Sequence, residues 1–395
     1  MSVPSMAAQL ITVVHIITKM ELGGAQRNTL YTVQHLDPQL FRVYLLTGPD
    51  GELLEEARAC PGWRLIPDML REVSPRRDFA ALLQIRREIR RIMADAPEGV
   101  PVIVHTHSSK AGILGRWAAW LAGVRTIVHS VHGFGFHDYQ KRPVRLLYQA
   151  LERLSAWITT RFIVVSQANL RTGVAAGIFS KEDACLIRSG IDIEAFASAP
   201  ADPQAVRREL GIPPDAPLIT MVACFKPQKA PLDFVRACAA VHRRHPEACF
   251  LLAGDGELRE QIEAAVVESG LEKHFFLPGW RRDVAALLHA SQVAVLSSYW
   301  EGLPQVVPQA CAAGLPVVAT RVDGTPEIVR DGLNGFLVPP GEIGLLAEKI
   351  IYLLDHPEEA RAMGRAAQGM TAEFDITAMV RRQEQLYCEL AGSSG

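Results

Sequence analysis

Along most of the chain, short runs of β-branched and aliphatic residues alternate with segments whose apolar positions recur every three or four residues. The runs predict strands and the periodic segments predict helices. In the first half, strands are expected at 10–18, 41–47, 101–106, 125–131 and 161–166, with helices at 25–35, 78–95, 110–122 and 144–157. Two proline-rich patches without period, 198–203 and 213–217, then mark a domain boundary. The alternation restarts with strands at 218–223, 248–253, 275–277, 292–296 and 316–319. From 342 onward the pattern is helical and ends in a helix at 377–390. Alternating strands and helices build βαβ units and parallel sheets. The expected fold class is α/β, with two βαβ domains in series at 1–197 and 198–375. Two such domains facing each other would enclose a cleft, with ligands at the carboxyl ends of the strands.

Composition narrows this picture. At 395 residues the chain has room for two to three domains of roughly 150 residues each. Hydrophobic residues at 49% against 21% charged supply a sizeable core and exclude a disordered chain. A net charge of −2 excludes a generally basic nucleic-acid binder. The halves differ, however: residues 1–195 carry 23 basic and 18 acidic groups, residues 196–395 carry 18 and 25. A modestly basic front half suits an anionic surface or substrate. Seven cysteines without a C-x-x-C pair read as reduced, intracellular thiols. Residues 1–5 lack the basic start of a leader, and Thr12 and His15 interrupt the apolar run that follows. Arg116 and Arg125 break the most apolar long window, 111–128. The chain is expected to be soluble or to lie on a membrane surface.

Three stretches place anion-friendly groups at strand ends. After the first strand, Gly23-Gly24 opens a helix; paired glycines let a ligand approach the backbone, and a helix start favours an anion. A plain tight turn is the alternative, and the pattern is not the G-x-G-x-x-G of a dinucleotide site. In the second domain, Cys224-Phe225-Lys226-Pro227-Gln228-Lys229 follows the first strand, and Lys229 can neutralise phosphate as a point cation. A solvated loop lysine is the alternative. The third stretch is Glu301-Gly302-Leu303-Pro304, with Gln309 beyond it and a helix expected to start near Pro304. The Gly302 and Leu303 amides would then offer a diphosphate free donors at the positive end of the helix dipole. A capped helix with one acidic residue in its first turn is the alternative. Three separate coincidences explain less than one anion site does.

With their order and spacing, these residues resemble the retaining GT-B glycosyltransferases of family 4, in the bacterial branch that builds capsular, exopolysaccharide and O-antigen chains. The resemblance runs through Gly23-Gly24-Ala25-Gln26-Arg27, His105-Thr106-His107-Ser108-Ser109-Lys110, Val131-His132-Gly133-Phe134 and Arg188-Ser189-Gly190-Ile191-Asp192. It continues through Lys226-Pro227-Gln228-Lys229, Gly254-Asp255-Gly256, Glu301-Gly302-Leu303-Pro304 and Gly332-Leu333-Asn334-Gly335. It implies two Rossmann-like domains, acceptor side first and donor side second, with 376–395 returning as a helix to the first. It further implies that Lys229 contacts the donor diphosphate, that Glu301 and His132 meet the transferred sugar, and that the Gly23-Gly24 backbone completes the phosphate cradle. Pro278-Gly279-Trp280 would lie beside the nucleotide base. The physical demand is preorganised charge for a departing diphosphate and for a sugar with cationic character. Two residues depart from the family pattern. Cys224 stands where the family usually has Arg, which removes a fixed positive fork. Gln309 replaces a second Glu, keeping a hydrogen-bond acceptor without the charge.

The expected function is a retaining, metal-independent transfer of a hexose-type unit from a UDP- or GDP-linked sugar to a saccharide acceptor on polyprenyl diphosphate. The setting would be cell-surface polysaccharide synthesis, with the enzyme cytoplasmic and peripheral on the inner face of the membrane. Neither a cofactor nor a nucleic-acid partner is expected. One alternative is a nucleotide-sugar epimerase or hydrolase on the same fold, whose turnover needs no acceptor. Another is a catalytically silent nucleotide-sugar-binding protein, which Cys224 and Gln309 make conceivable.

Other stretches carry weaker chemistry. His105-x-His107 ends a strand with no third ligand in view, so a structural role is expected rather than a metal. Gly133-Phe134-Gly135-Phe136 reads as a flexible loop able to cover the cleft, and His137 as a surface residue. Asp255-Gly256-Glu257 imitates an acidic metal motif but more simply starts a helix. The segment 141–157 is amphipathic, with Val144, Leu147, Tyr148, Leu151 and Leu154 on one face and Lys141, Arg142, Arg145 and Arg153 elsewhere. Arg86, Arg87, Arg90 and Arg91 add a second basic run. Either these are ordinary helices with solvated outer faces, or they dock on an anionic leaflet at about 1 kcal/mol per basic group.

Overall fold

A computed structural model describes residues 10–202 and 204–392; the sequence readings on residues 1–5 and on Pro203 lie outside the described residues. The chain divides into two compact units. Unit 1 comprises the residues up to Ser189 together with those from Ile376 onward, and unit 2 is Gly190–Asp375.

Unit 1 is built on β1 (Ile11–Ile17), β2 (Phe41–Thr47), β3 (Trp63–Leu65), β4 (Val102–His107), β5 (Thr126–Val131), β6 (Arg161–Val164) and β7 (Ala184–Leu186). They form one sheet in the order β3-β2-β1-β4-β5-β6-β7, parallel throughout. All seven positions of β1 are buried, as a continuous apolar run requires when both faces of a parallel sheet are covered. Alternate residues serve the two faces. Val14, Ile16 and Val104 pack with Ala81, Ile85, Ile89 and Ile92 of the helix Pro75–Asp95. Val13, Ile103 and Val128 pack with Met379, Val380, Leu386 and Tyr387 of the final helix, Ile376–Gly392. The edge strands β3 and β7 are three residues each, too short to show a period in sequence.

Unit 2 repeats the plan with β8 (Leu218–Val222), β9 (Cys249–Ala253), β10 (Phe275–Phe276), β11 (Val293–Leu296), β12 (Val317–Thr320) and β13 (Gly335–Val338). The order is β10-β9-β8-β11-β12-β13, again parallel. Ile219, Met221, Phe250 and Val295 join Phe234 and Val318 in its core. In each sheet the strand order reverses once, between β1 and β4 and between β8 and β11. Open α/β sheets leave a crevice at that switch point, at the carboxyl ends of the strands.

The division between units falls at Ser189 and Gly190, ahead of the boundary at 197/198 expected from the prolines. The reason is hydrogen bonding. Ile191 N donates to Phe374 O at 2.7 Å and Gln305 Nε2 to Gly190 O at 3.1 Å, so the chain has joined unit 2 before Ser198. Among the described residues, no helix is long and apolar enough to cross a membrane.

Candidate active site

At the switch point of unit 2, the loop after β8 meets the loop after β11. Lys229 closes the single turn Pro227–Lys229, and Glu301 stands between β11 and the helix Val306–Ala312. Lys229 Nζ lies 2.5 Å from Glu301 Oε1. The same oxygen accepts from Ser298 Oγ at 2.6 Å, and the Glu301 amide donates to Asp323 Oδ2 at 2.6 Å. The Glu301 side chain is 5% exposed and that of Lys229 21%, so a nearly dry carboxylate is held by a cation that solvent still reaches. Gln228 ties the two loops together: its Nε2 donates to Trp300 O at 2.9 Å and its carbonyl accepts from Tyr299 N at 2.8 Å. Ser297 Oγ bonds the carbonyls of Lys229 and Ala230, fixing the turn that presents the lysine.

The structure thus brings Lys229 and Glu301 together, and it adds three residues that sequence reasoning missed. Ser298 is an ordinary serine in a loop. Asp323 lies 22 residues beyond its partner, and Gln228 gave only a hint, as the neighbour of the motif lysine. The helix expected at Pro304 begins instead at Val306. Pro308, not Pro304, occupies its first turn, where a missing N–H costs nothing. Gly302 and Leu303 are therefore loop residues, held by the Gly324 N–H to the Gly302 carbonyl at 3.2 Å. Among the described residues, their own amides donate to no acceptor in the chain. Gln309 is half-buried in the helix, with its amide bonded to Gln305 O at 3.1 Å. Cys224 is half-buried two residues past β8. Gly279 adopts φ +75, its carbonyl accepts from Gly254 N at 2.9 Å, and Trp280 beside it is 37% exposed. Asp255 pairs with Arg259, the first residue of the helix Arg259–Glu268, at 3.1 Å.

In unit 1, Gly23 is an extended N-cap without a side chain for the helix Gly24–His35, whose first turn holds no acidic residue. His132 follows β5 and is half-buried. It is the end of a chain of imidazoles: His132 Nε2 to His107 Nδ1 at 3.2 Å, and His107 Nε2 to His15 Nδ1 at 3.0 Å. The expectation that no third imidazole accompanies His105 and His107 is wrong. His15 supplies it, because the β1–β4 register sets His15 opposite His105. His105 is itself saturated by Tyr387 Oη at 2.6 Å and Ser130 Oγ at 2.8 Å. Among the described residues, hydrogen bonds engage both ring nitrogens of His105 and of His107, and leave His15 Nε2 without a partner. Burial pushes His15 down to about 3 and His132 to about 4, and lowers His105 and His107 well below the usual imidazole range. These rings are neutral at pH 7.

Two further expectations for unit 1 change. The stretch 133–136 is packed, not a free flap: Phe136 is buried with Val131, Phe162 and Phe179, and Phe134 stacks on it at 4.8 Å. The helix Arg142–Ala156 buries only Glu152 and Ser155 and leaves Val144, Leu146, Leu147 and Leu154 exposed. The ordinary reading, apolar face inward, holds there only for Tyr148, which packs against the Phe136 cluster, and for the half-buried Leu151.

The comparisons agree with this architecture. Residues 22–195 match the family model described as "Glycosyltransferase Family 4", and residues 202–370 the one described as "Glycosyl transferases group 1". The chain is 30% identical over 383 residues to the UDP-Gal:alpha-D-GlcNAc-diphosphoundecaprenol alpha-1,3-galactosyltransferase of Escherichia coli, covering 96% of this chain and 97% of that protein. It is 29% identical over 293 residues to the D-inositol 3-phosphate glycosyltransferase of Mycobacterium tuberculosis, covering 69% of this chain and 58% of that one. Among solved structures, HepE of Anabaena in complex with UDP and glucose is similar at a TM-score of 0.80 and 20% identity, covering 96% and 100%. The sucrose-phosphate synthase of Thermosynechococcus elongatus is similar at 0.80 and 22%, covering 97% and 100%. Two Rossmann-like parallel-sheet units with these likenesses define a GT-B glycosyltransferase. The chain belongs to glycosyltransferase family 4.

Proposed function

We propose that the protein transfers a hexose, with retention at its anomeric carbon, from a UDP-sugar to a saccharide carried on polyprenyl diphosphate, in the assembly of a cell-surface polysaccharide. The observation that carries this reading is the Lys229–Glu301 pair at the unit 2 switch point, an ammonium and a carboxylate 2.5 Å apart. As the bond from anomeric carbon to phosphate oxygen breaks, the diphosphate gains charge and the sugar gains cationic character. Preorganised groups of opposite sign stabilise both. Lys229 and the amides of Gly302 and Leu303 serve the diphosphate, and Glu301 serves the sugar and its hydroxyls. In the free protein Lys229 neutralises Glu301; with donor bound it turns to the phosphates, while Ser298 and Asp323 keep Glu301 in place. The acceptor hydroxyl attacks from the face the diphosphate leaves, and its proton passes to the departing phosphate oxygen. Gln309 offers the ribose a neutral acceptor, and Gly279 and Trp280 flank the base. In unit 1, the bare helix start at Gly23 and Gly24 takes an anionic group, and His132 a sugar hydroxyl.

The donor base is read as uracil rather than guanine because the Escherichia coli relative is named for UDP-Gal and HepE was solved with UDP. The same relative is named for a diphosphoundecaprenol-linked sugar, and the outward apolar face of the helix Arg142–Ala156 suits a lipid-borne acceptor at the inner face of the cytoplasmic membrane. Because Lys229 supplies the charge, the reaction is proposed to need no divalent metal.

The test incubates UDP-galactose, in buffer with EDTA, with and without GlcNAc-diphosphopolyprenol. An α-linked product formed only with acceptor is expected. Turnover of donor without acceptor points to the hydrolase or epimerase, a β-linkage overturns retention, and activity restored only by manganese overturns the metal-free reading. Lys229→Ala is expected to weaken UDP binding about tenfold to a hundredfold, the loss of one charge-assisted contact of about 1.5–3 kcal/mol. Uridine binding should change little. Equal losses for both ligands would remove Lys229 from the phosphates.

A further inference from the structure

His15 stands within β1, His107 at the end of the neighbouring β4 and His132 just beyond β5, and the three are joined ring to ring at 3.0 and 3.2 Å. A neutral imidazole carries one proton, on one of its two nitrogens, and each N···N contact needs one proton between its two rings. Only two arrangements satisfy both contacts. In the first, all three rings carry the proton on Nε2. His132 then donates to His107 and His107 to His15, and His132 Nδ1 presents a lone pair. In the second, all three carry it on Nδ1, both bonds run the other way, and His132 Nδ1 presents an N–H. Any mixed set turns two N–H groups or two lone pairs toward each other inside the protein, and a lost buried bond holds such sets to about one part in ten or less.

We propose that His15 and His107 are positioning residues that lock His132 into one shared tautomer register, so that its Nδ1 meets a sugar hydroxyl as a single-purpose acceptor or donor. The two ends of the line differ in access. His15 Nε2 and His132 Nδ1 both lack a hydrogen-bond partner among the described residues. His15 is sealed at 0% exposure and the His132 Nδ1 atom is itself covered, but His132 as a residue is only half-buried, so a ligand reaches the line from the His132 side, on uncovering Nδ1. A hydroxyl bound at His132 selects the register, and the selection passes back through two rings without any of them becoming charged. Burial, which depresses all three basicities, keeps the line neutral at pH 7. His105 stands outside it, because its two nitrogens are bonded to Tyr387 and Ser130. The role toward a sugar rests on the proposed function, but the shared register of the free protein does not.

The test is a ring-¹⁵N spectrum of the full chain labelled at histidine, with signals assigned from His15→Asn, His107→Gln and His132→Asn variants. At pH 7.5 the three rings are expected in one common neutral tautomer. They should stay in common when UDP-galactose is added, whether or not the register switches. Mixed tautomers, or a cationic ring among the three, overturn the proposal. If UDP-galactose does not bind the same sample, the donor reading fails, and the spectrum of the free protein still decides the register. His107→Gln should free His132 to populate both tautomers and lower kcat about tenfold, with the donor KM changed less than about twofold. Wild-type kcat in a folded His107→Gln protein overturns the positioning role. Should that variant not fold, the wild-type spectrum alone decides.

Discussion

Cys224 stands where a guanidinium would add a second fixed cation beside Lys229 at the proposed diphosphate site. It is half-buried two residues past β8, and its carbonyl accepts from Lys226 N at 2.8 Å, which fixes where its side chain starts. A guanidinium there would add two parallel donors to a phosphate, a geometry an ammonium cannot copy. Cys224→Arg is therefore expected to tighten UDP binding several-fold to tenfold by isothermal titration calorimetry; unchanged affinity would show that position 224 does not face the phosphates. At this scale the sequence exposed residues with charge at strand ends and hid those whose partners are distant. Lys229 and Glu301 were legible because each lies in a motif just beyond a strand. Asp323 was not, since it reaches the Glu301 amide from another loop. His15 could be tied to His105 only once the β1–β4 register was known, because 90 residues separate them in the chain. The start of the helix Val306–Ala312 was misread because Pro304 and Pro308 satisfy the same first-turn rule, and the loop's own hydrogen bonds decide between them.

At the scale of elements, alternation of strand and helix predicted ten of the thirteen strands, because parallel strands buried on two faces read as apolar runs, and missed the short edge strands β3, β7 and β13. It could not say which face of the helix Arg142–Ala156 points inward. That is decided by a neighbour, the helix Ser109–Ala122, which buries Arg116 completely. Arg116 Nη2 bonds Glu152 Oε2 at 2.6 Å and Trp117 Nε1 bonds Ser155 Oγ at 3.1 Å, so the helix is held by its polar side. Most of the apolar side beyond Tyr148 and Leu151 is left in solvent, with Leu147 58% and Trp157 86% exposed, and Trp120 and Leu121 lie exposed on the neighbouring helix. Lys141 and Arg142 are exposed on the same segment, as are Arg87, Arg90 and Arg91 on the helix Pro75–Asp95. An apolar face rimmed with arginine suits an anionic bilayer surface, where each buried leucine contributes about 1.5 kcal/mol or more. The double variant Leu146→Glu with Leu147→Glu is expected to lose at least about tenfold of its partition onto vesicles containing phosphatidylglycerol, with UDP binding unchanged. Equal partition of variant and native protein would reject the surface, and the lipid-borne acceptor would then need another approach.

For the whole molecule, the two units share a plan but differ in how they respond to acid. Unit 1 buries His15, His105, His107 and His129 at 0–3% exposure, whereas the histidines of unit 2 are half-buried or exposed. Desolvation lowers all four buried rings, His15 to about 3 and the others well below 6.5. Above pH 6.5 each is neutral both folded and unfolded, so none affects stability. As pH falls below 6.5 the unfolded chain takes up protons that the folded unit refuses, and stability is lost progressively down toward the folded values. Each ring contributes about 1.4 kcal/mol per pH unit in that window. Four rings remove on the order of 5 kcal/mol at pH 5.5, comparable with the whole stability of a domain of about 5–15 kcal/mol. Hydrogen–deuterium exchange followed from pH 7.5 to 5.5, corrected for intrinsic rates, should therefore show β1, β4 and β5 losing protection while β8, β9 and β11 keep theirs. Protection of β1 and β4 that stays constant across this range would mean that the four rings are charged or solvated in the folded protein. The neutral imidazole line to His132 would fall with them.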